Sequence, residues 1–261
     1  MYRTSRRIVP SALFLWDIDG TLLRGATAIH RDAFAHAYQA VYGLPLSLDG
    51  VAAGGRTDTW LLAEPLRRIG LPDAEIWTRM PNAFREMQAY VEQHLGDLSH
   101  CVLPGAREVL AELHARGYLQ ALVSGNLSRI ALAKLRNAGL AEYFDVGGFG
   151  EESEVREHLV SVALRHATEA VGTHIELRRS VVVGDTPFDL EAGQLNGTRT
   201  CGVATGTCSL EELEAAGADL LLPSLADAET AIDALVGLIE DRSESVRCAR
   251  GRVRDSDRRA T

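Results

Sequence analysis

Short apolar runs ending in small or acidic residues alternate along this chain with stretches of helical periodicity, and that alternation constrains the fold more than any other feature. It is the signature of βαβ units, which force a parallel sheet with helices on its faces. Strands are expected at 12–17, 118–124, 181–185, 200–204 and 219–222, with a shorter one at 144–147. Helical patterns at 106–116, 128–138, 157–170, 187–196, 210–216 and 225–239 supply the crossovers. The expected fold is α/β, a Rossmann-like parallel sheet flanked by helices.

Residues 24–101 interrupt the alternation. Helical patterns at 28–42, 58–69 and 73–95 follow one another there without a convincing strand, so the segment reads as an inserted α-helical cap domain. It follows the first strand directly, and open α/β sheets bind ligands beyond the carboxyl ends of their strands. An insertion at that point would sit over the site. Pro104 and Gly105 mark the return to the sheet. The expected division is a core of 1–23 and 102–241, a cap of 24–101 and an arginine-rich, disordered tail of 242–261.

The 261 residues are 46% hydrophobic, enough for a sizeable core, and no run approaches the roughly 20 apolar residues of a membrane span. Arg3, Arg6 and Arg7 precede an apolar run that ends at Asp17 without a cleavage pattern, so secretion is not expected. Cys101, Cys201, Cys208 and Cys248 form no C-x-x-C pair and read as free thiols, which suits the cytoplasm. A net charge of −9 disfavours a general nucleic-acid binder. Seven arginines in the tail could meet an acidic partner, although a solvated end explains them as well.

Leu13-Phe14-Leu15-Trp16-Asp17-Ile18-Asp19-Gly20-Thr21 is an apolar strand that delivers two carboxylates at its end and turns at a glycine. Paired carboxylates push their pKa values apart, which lets one stay anionic while the other carries a proton. An acidic strand-to-loop turn is the plain structural alternative. Val181-Val182-Val183-Gly184-Asp185-Thr186-Pro187-Phe188-Asp189 ends another strand in the same way, although Thr186, Pro187 and Asp189 could simply start a helix with a capping box. Both carboxylate sets would meet at one sheet edge, an oxygen-rich site suited to Mg²⁺. Leu122-Val123-Ser124-Gly125-Asn126 offers a hydroxyl and open backbone, which could hold a phosphoryl oxygen or serve an ordinary turn.

These segments, in this order, resemble the haloacid dehalogenase superfamily over roughly residues 8–239. The resemblance implies an enzyme, a Mg²⁺-dependent phosphatase acting on a small phosphorylated metabolite. Asp17 would be the nucleophile that forms an aspartyl-phosphate, and Asp19 the general acid and base. Mg²⁺ would be held by Asp17, the backbone carbonyl of Asp19 and Asp185, with Asp189 in support. Ser124 and Gly125 would bind the phosphoryl group. The family's usual basic residue is a lysine about two dozen positions before the last motif, whereas the only lysine here, Lys134, lies ten residues after Ser124. Arg156, 29 residues before Asp185, fits that place better and could bridge nucleophile and phosphate, or pair with Glu152 or Glu154 at the surface.

Gly54-Gly55-Arg56-Thr57-Asp58 resembles the specificity loop of phosphoglycolate-phosphatase-like members with a small helical cap. Arg56 could meet a second anionic group of the substrate, or Thr57 could merely cap a helix beside a solvated arginine. A phosphosugar mutase of the same superfamily is an alternative, and a non-catalytic phospho-accepting protein a more remote one. A dehalogenase is disfavoured by the carboxylate at Asp19. His30, His36, His94, His100, His114, His158, His166 and His174 are scattered and carry no assigned role, and Trp60, Trp77 and Tyr90 read as packing.

Overall fold

The computed structural model describes residues 12–240. The tail and the three N-terminal arginines lie outside them. Six parallel strands form one sheet in the order β3-β2-β1-β4-β5-β6: β1 (Leu13–Trp16), β2 (Leu119–Ser124), β3 (Val146–Phe149), β4 (Ser180–Gly184), β5 (Arg199–Val203) and β6 (Leu220–Leu222). The chain runs outward from β1 to β3, then returns to the other side of β1 to place β4. The crevice between β1 and β4 is therefore the topological switch point, where such sheets bind ligands.

Burial on both faces explains why the strands read as continuous apolar runs. Phe14 and Trp16 pack on one side with α4 (Ala106–Ala115), α5 (Ser128–Ala138) and α9 (Ala228–Ile239). Leu13 and Leu15 pack on the other with α6 (Arg156–Val171) and α7 (Pro187–Leu195), while the short α8 (Leu210–Ala215) lies against β5 and β6. Val181 and Val183 join the first layer and Val182 the second, in step with the strand's period of two.

The insertion is helical and has its own core. Helices α1 (Ala28–Ala37), α2 (Asp58–Arg68) and α3 (Asp73–His94) bury Phe34, Tyr38, Leu62, Leu66, Met80 and Met87 together. Leu127 and Ile130, at the start of α5, complete that core from the sheet side. The entry and exit of the insertion pair with each other: Arg24 N–H donates to Cys101 O (2.8 Å) and Leu103 N–H to Leu22 O (2.9 Å). Among the described residues no helix is long and apolar enough to cross a membrane.

Three elements differ from the sequence expectation by two residues or more, one of them α9, which starts at Ala228 and not at 225. The expected helix at 28–42 ends as α-helix at Ala37 and closes with a π-helical turn over Tyr38–Tyr42. The Tyr38 and Tyr42 hydroxyls there donate to Leu61 O (2.7 Å) and Ile76 O (3.1 Å). Strand β3 lies two residues later than expected, because Gly147 and Gly148 look unlike strand residues. The sheet needs that smallness, since a Cβ at Gly148 would stand 2.0 Å from Leu159 O on α6.

Candidate active site

β1 ends at Trp16, so Asp17 and Asp19 leave the sheet at its carboxyl edge, and β4 delivers Asp185 and the start of α7 beside them. Gly20 has φ +102°, a backbone conformation that favours glycine, and its missing Cβ is what lets the turn pass Asp185: a Cβ would stand 2.3 Å from Asp185 Oδ2. A Cβ at Gly206 would strike the same oxygen from the other side. Thr21 Oγ1 donates to Asp185 Oδ1 (3.3 Å). A cavity of about 340 Å³ opens between this edge and the inserted helices, lined by Asp17, Asp19, Asp185, Asp189, Arg156 and Arg56 among others.

Arg156, the first residue of α6, is buried between two carboxylates. Its Nη2 donates to Asp17 Oδ1 (2.6 Å) and also to Asp189 Oδ1, and its Nη1 reaches Gly55 O (3.4 Å). Burial disfavours the guanidinium charge, but Asp189 and Asp17 more than offset that and keep it protonated. Asp189 is fully engaged: Oδ1 takes Arg156, while Oδ2 accepts from Thr186 N–H (3.0 Å) and Thr186 Oγ1 (2.7 Å). It fixes both the guanidinium and the turn into α7. The surface pairing of Arg156 with Glu152 or Glu154 does not form; Glu154 instead pairs with Arg67 (2.7 Å).

Asp19 has a cationic partner of its own, to which sequence reasoning gave no role. Lys134, on α5, is fully buried, and its Nζ donates to Asp19 Oδ2 (2.7 Å), Asn126 Oδ1 (2.8 Å) and His30 Nδ1 (3.3 Å). Asn126 Nδ2 also donates to Asp19 Oδ2 (2.8 Å). Asp19 Oδ1 is buried with no hydrogen-bond partner among the described residues. Burial raises the Asp19 pKa, but the Lys134 charge and the Lys134 and Asn126 hydrogen bonds outweigh it and hold the carboxyl below its ordinary value.

The opposite holds at the β4 side. Burial first, then repulsion from Asp189, push Asp17 well above the ordinary carboxylate value, and Arg156 offsets this only in part. The same two causes raise Asp185 to about 7. Negative charge is thus under-compensated where Asp17 and Asp185 meet. Among the described residues no three His, Cys, Asp or Glu side chains form a ready-made metal cluster. Mg²⁺ does not need one, since it binds through one or two carboxylates and keeps several waters. Hard oxygen donors with surplus negative charge fit that ion, and Asp17, Asp185 and the Asp19 carbonyl are the groups that would hold it.

Ser124 is wholly buried, and its Oγ accepts from Asn126 Nδ2 (2.6 Å) and Asn126 N–H (3.3 Å). The cavity wall beside it is made by Gly125 and Asn126 rather than by Ser124 itself. Gly125 is where the inserted loop docks: Asp58 N–H donates to Gly125 O (2.7 Å), and a Cβ on Gly125 would stand 2.1 Å from Arg56 O. Thr57 does cap α2, with Trp60 N–H donating to its Oγ1 (3.2 Å), and Arg56 is nevertheless ordered: its guanidinium carbon lies 4.5 Å from the Trp60 ring centroid and 4.6 Å from that of Phe188. Both rings hold the guanidinium by cation–π contact, which uses none of its N–H donors.

His30 and Asp58 are the further residues the sequence reading left without a role. His30 Nε2 is 2.9 Å from Asp58 Oδ2, which also accepts from Leu127 N–H (2.8 Å). The signal for His30 and Lys134 was present in the sequence. His30 shares the buried face of α1 with Ala33, Phe34 and Ala37, and Lys134 that of α5 with Ile130, Ala131 and Ala138. A polar residue on an otherwise apolar helical stripe needs buried partners.

Comparison with known proteins agrees with this layout. A family model described as haloacid dehalogenase-like hydrolase matches residues 14–194. A plasmid-encoded phosphoglycolate phosphatase of Cupriavidus necator is 30% identical over 219 residues, covering 83% of this chain and 91% of that protein. A pyrophosphatase of Halalkalibacterium halodurans is 26% identical over 219 residues, 82% of this chain and 93% of that protein. The crystal structure of a β-phosphoglucomutase from Clostridium difficile shares the fold with a TM-score of 0.63 at 14% identity, over 89% of this chain and all of that one. Sequence and fold agree over most of the chain, which therefore belongs to the haloacid dehalogenase-like hydrolase family as a phosphoglycolate-phosphatase-like member.

Proposed function

We propose that this protein is a Mg²⁺-dependent phosphatase that hydrolyses a small phosphomonoester, phosphoglycolate-like or a sugar phosphate, through an aspartyl-phosphate on Asp17. The observation that carries the reading is the unequal treatment of two neighbouring carboxylates. Asp17 is paired with Arg156, whereas Asp19, which lines the cavity, has Oδ2 clamped by Lys134 and Asn126 and Oδ1 buried without a hydrogen-bond partner among the described residues. One group is set to attack and the other to move a proton.

In the first half-reaction Asp17 attacks phosphorus in line, the bond to the leaving oxygen breaks, and Asp19, ionised in the free site, relays to that oxygen the proton of the bound monoanionic ester. In the second, Asp19 takes a proton from water, the water oxygen bonds to phosphorus and the bond to Asp17 breaks. Asp19 passes that proton to the departing inorganic phosphate and is ionised again, which closes the cycle. Arg156 holds the Asp17 carboxylate and faces the phosphoryl oxygens, and Asp189 fixes Arg156. Gly125 and Asn126 offer backbone and amide donors at the cavity wall, above Ser124, which orients Asn126. Bound Mg²⁺ would neutralise phosphoryl charge and keep Asp17 anionic.

Residues 24–101 act as the cap over a core whose described parts are 12–23 and 102–240. Arg56, with its N–H edge free for a carboxylate or a second phosphate, chooses the substrate. The free thiols of Cys101, Cys201 and Cys208 fit a cytoplasmic enzyme acting on a small phosphorylated metabolite.

Phosphate release from a panel of phosphomonoesters, including phosphoglycolate and sugar phosphates, tests this reading. Release should require Mg²⁺, vanish with EDTA and vanish in Asp17→Asn. Arg56→Ala should lose about tenfold or more in kcat/KM on esters with a second anionic group and little on neutral ones. No release from any ester by the folded protein would refute the assignment.

A further inference from the structure

Resting on the phosphatase reading of Asp19, we infer that His30 and Asp58 are positioning residues for that carboxylate and act on it through Lys134. The clamp on Asp19 is therefore complete only when the inserted helices are seated on the sheet.

Lys134 has three N–H donors and no acceptor, and it meets three acceptors: Asp19 Oδ2, Asn126 Oδ1 and His30 Nδ1. Two of these belong to the sheet domain and one to α1. Because an ammonium can only donate, His30 Nδ1 must present its lone pair, and the ring proton sits on Nε2. That proton points to Asp58 Oδ2 at 2.9 Å. The histidine is thus held in one tautomer by a donor on one side and a carboxylate on the other. Asp58 in turn is fastened to the loop after β2 through its own N–H to Gly125 O (2.7 Å) and through Leu127 N–H to its Oδ2 (2.8 Å).

The result is a line from the buried Asp58, His30 and Lys134 to the half-buried Asp19, with its first two members in the insertion and its last two in the sheet domain. If the insertion lifts, Asp58 leaves Gly125 and Leu127, His30 leaves Lys134, and the ammonium loses one of its three acceptors. A buried ammonium with an unfilled donor swings to find another, and Asp19 Oδ2 is the group it holds. Misplacing a reacting carboxylate by about 1 Å costs on the order of 100-fold in rate.

The test compares His30→Leu, which fills the volume without an acceptor, with His30→Asn, which can return an oxygen toward Lys134. His30→Leu should lower kcat by about 10- to 100-fold with KM changed less than about threefold. His30→Asn should recover part of the loss. In an Asp19→Asn background His30→Leu should add less than about twofold, because its effect runs through Asp19. A crystal structure of His30→Leu should show Lys134 Nζ out of hydrogen-bond reach of Asp19, a readout that needs no turnover. Unchanged kcat, a loss confined to KM, an equal loss in the Asp19→Asn background, or an intact Lys134–Asp19 contact would each overturn the inference. Absence of turnover in the wild type would instead defeat the phosphatase reading, and the crystal structure would still decide the positioning claim.

Discussion

Arg156 and Lys134 are both buried cations, and each sits where a carboxylate must keep a fixed place. Removing one partner of such a pair leaves an uncompensated charge. Arg156→Ala leaves Asp17 and Asp189 without their shared cation, so turnover should fall by about 100-fold or more, and Arg156→Lys should restore only part, because one ammonium cannot serve both carboxylates and also hold Gly55 O as the guanidinium does. Steady-state kinetics on the best ester of the panel checks this, and full turnover in Arg156→Ala would remove Arg156 from the mechanism. The two carboxylate motifs and Arg156 were legible in the sequence because each closes an apolar strand or opens a helix at a readable spacing. Lys134, Asn126, His30 and Asp58 were not assigned roles, since their partners come from segments far apart in sequence: Lys134 meets Asp19 across 115 positions and His30 across 104. Spacing along the chain cannot show such encounters, and only the apolar company of Lys134 and His30 on their helices pointed to them.

At the scale of elements, the contact between the loop before α2 and the loop after β2 is made of backbone, with no side chain between Gly125 and Arg56 O. Gly125→Ala should push that loop outward while leaving the sheet folded. We expect KM to rise and kcat to fall together, with Tm lower by only a few degrees, measured by kinetics and calorimetry on the same preparation. Unaltered kinetics would mean that the loop's close seating is not needed. Most elements could be read to within a residue or two, for instance α5 at 128–138, because burial on one helical stripe or both sheet faces leaves a clean period. The misses have local causes. Periodicity does not separate an α turn from the π turn over Tyr38–Tyr42, and β3 is built on Gly147 and Gly148, whose value is their missing Cβ. Helix α9 begins at Ala228, three residues later than expected, because Leu225 is buried ahead of it and Asp227 caps it, accepting from Thr230 N–H (3.2 Å).

For the whole molecule, the raised carboxyls at Asp17 and Asp185 link stability, pH and metal. A carboxyl whose folded pKa lies above its unfolded value stabilises the fold below the unfolded pKa, and that contribution is lost as pH rises through the folded one. With Asp185 raised to about 7 from 3.8, Tm in EDTA should fall between about pH 4 and about pH 7 on this account. Mg²⁺ binds the ionised pair, so its stabilising effect should grow over the same interval. Asp185→Asn should flatten the EDTA profile and remove the Mg²⁺ gain, and thermal scans at several pH values would show whether it does. A Mg²⁺ effect that shrinks as pH rises would contradict the assignment of these ligands. The ribbon at the base of the insertion, where Arg24 pairs with Cys101 and Leu103 with Leu22, has a different kind of consequence. A segment whose two ends already touch is a plug-in module: it can be lengthened, shortened or exchanged for a relative's without altering the register of β1 against β2 and β4. What the protein accepts and how it reacts can therefore be inherited separately, except along the line through His30, where a new plug must still fit the old socket.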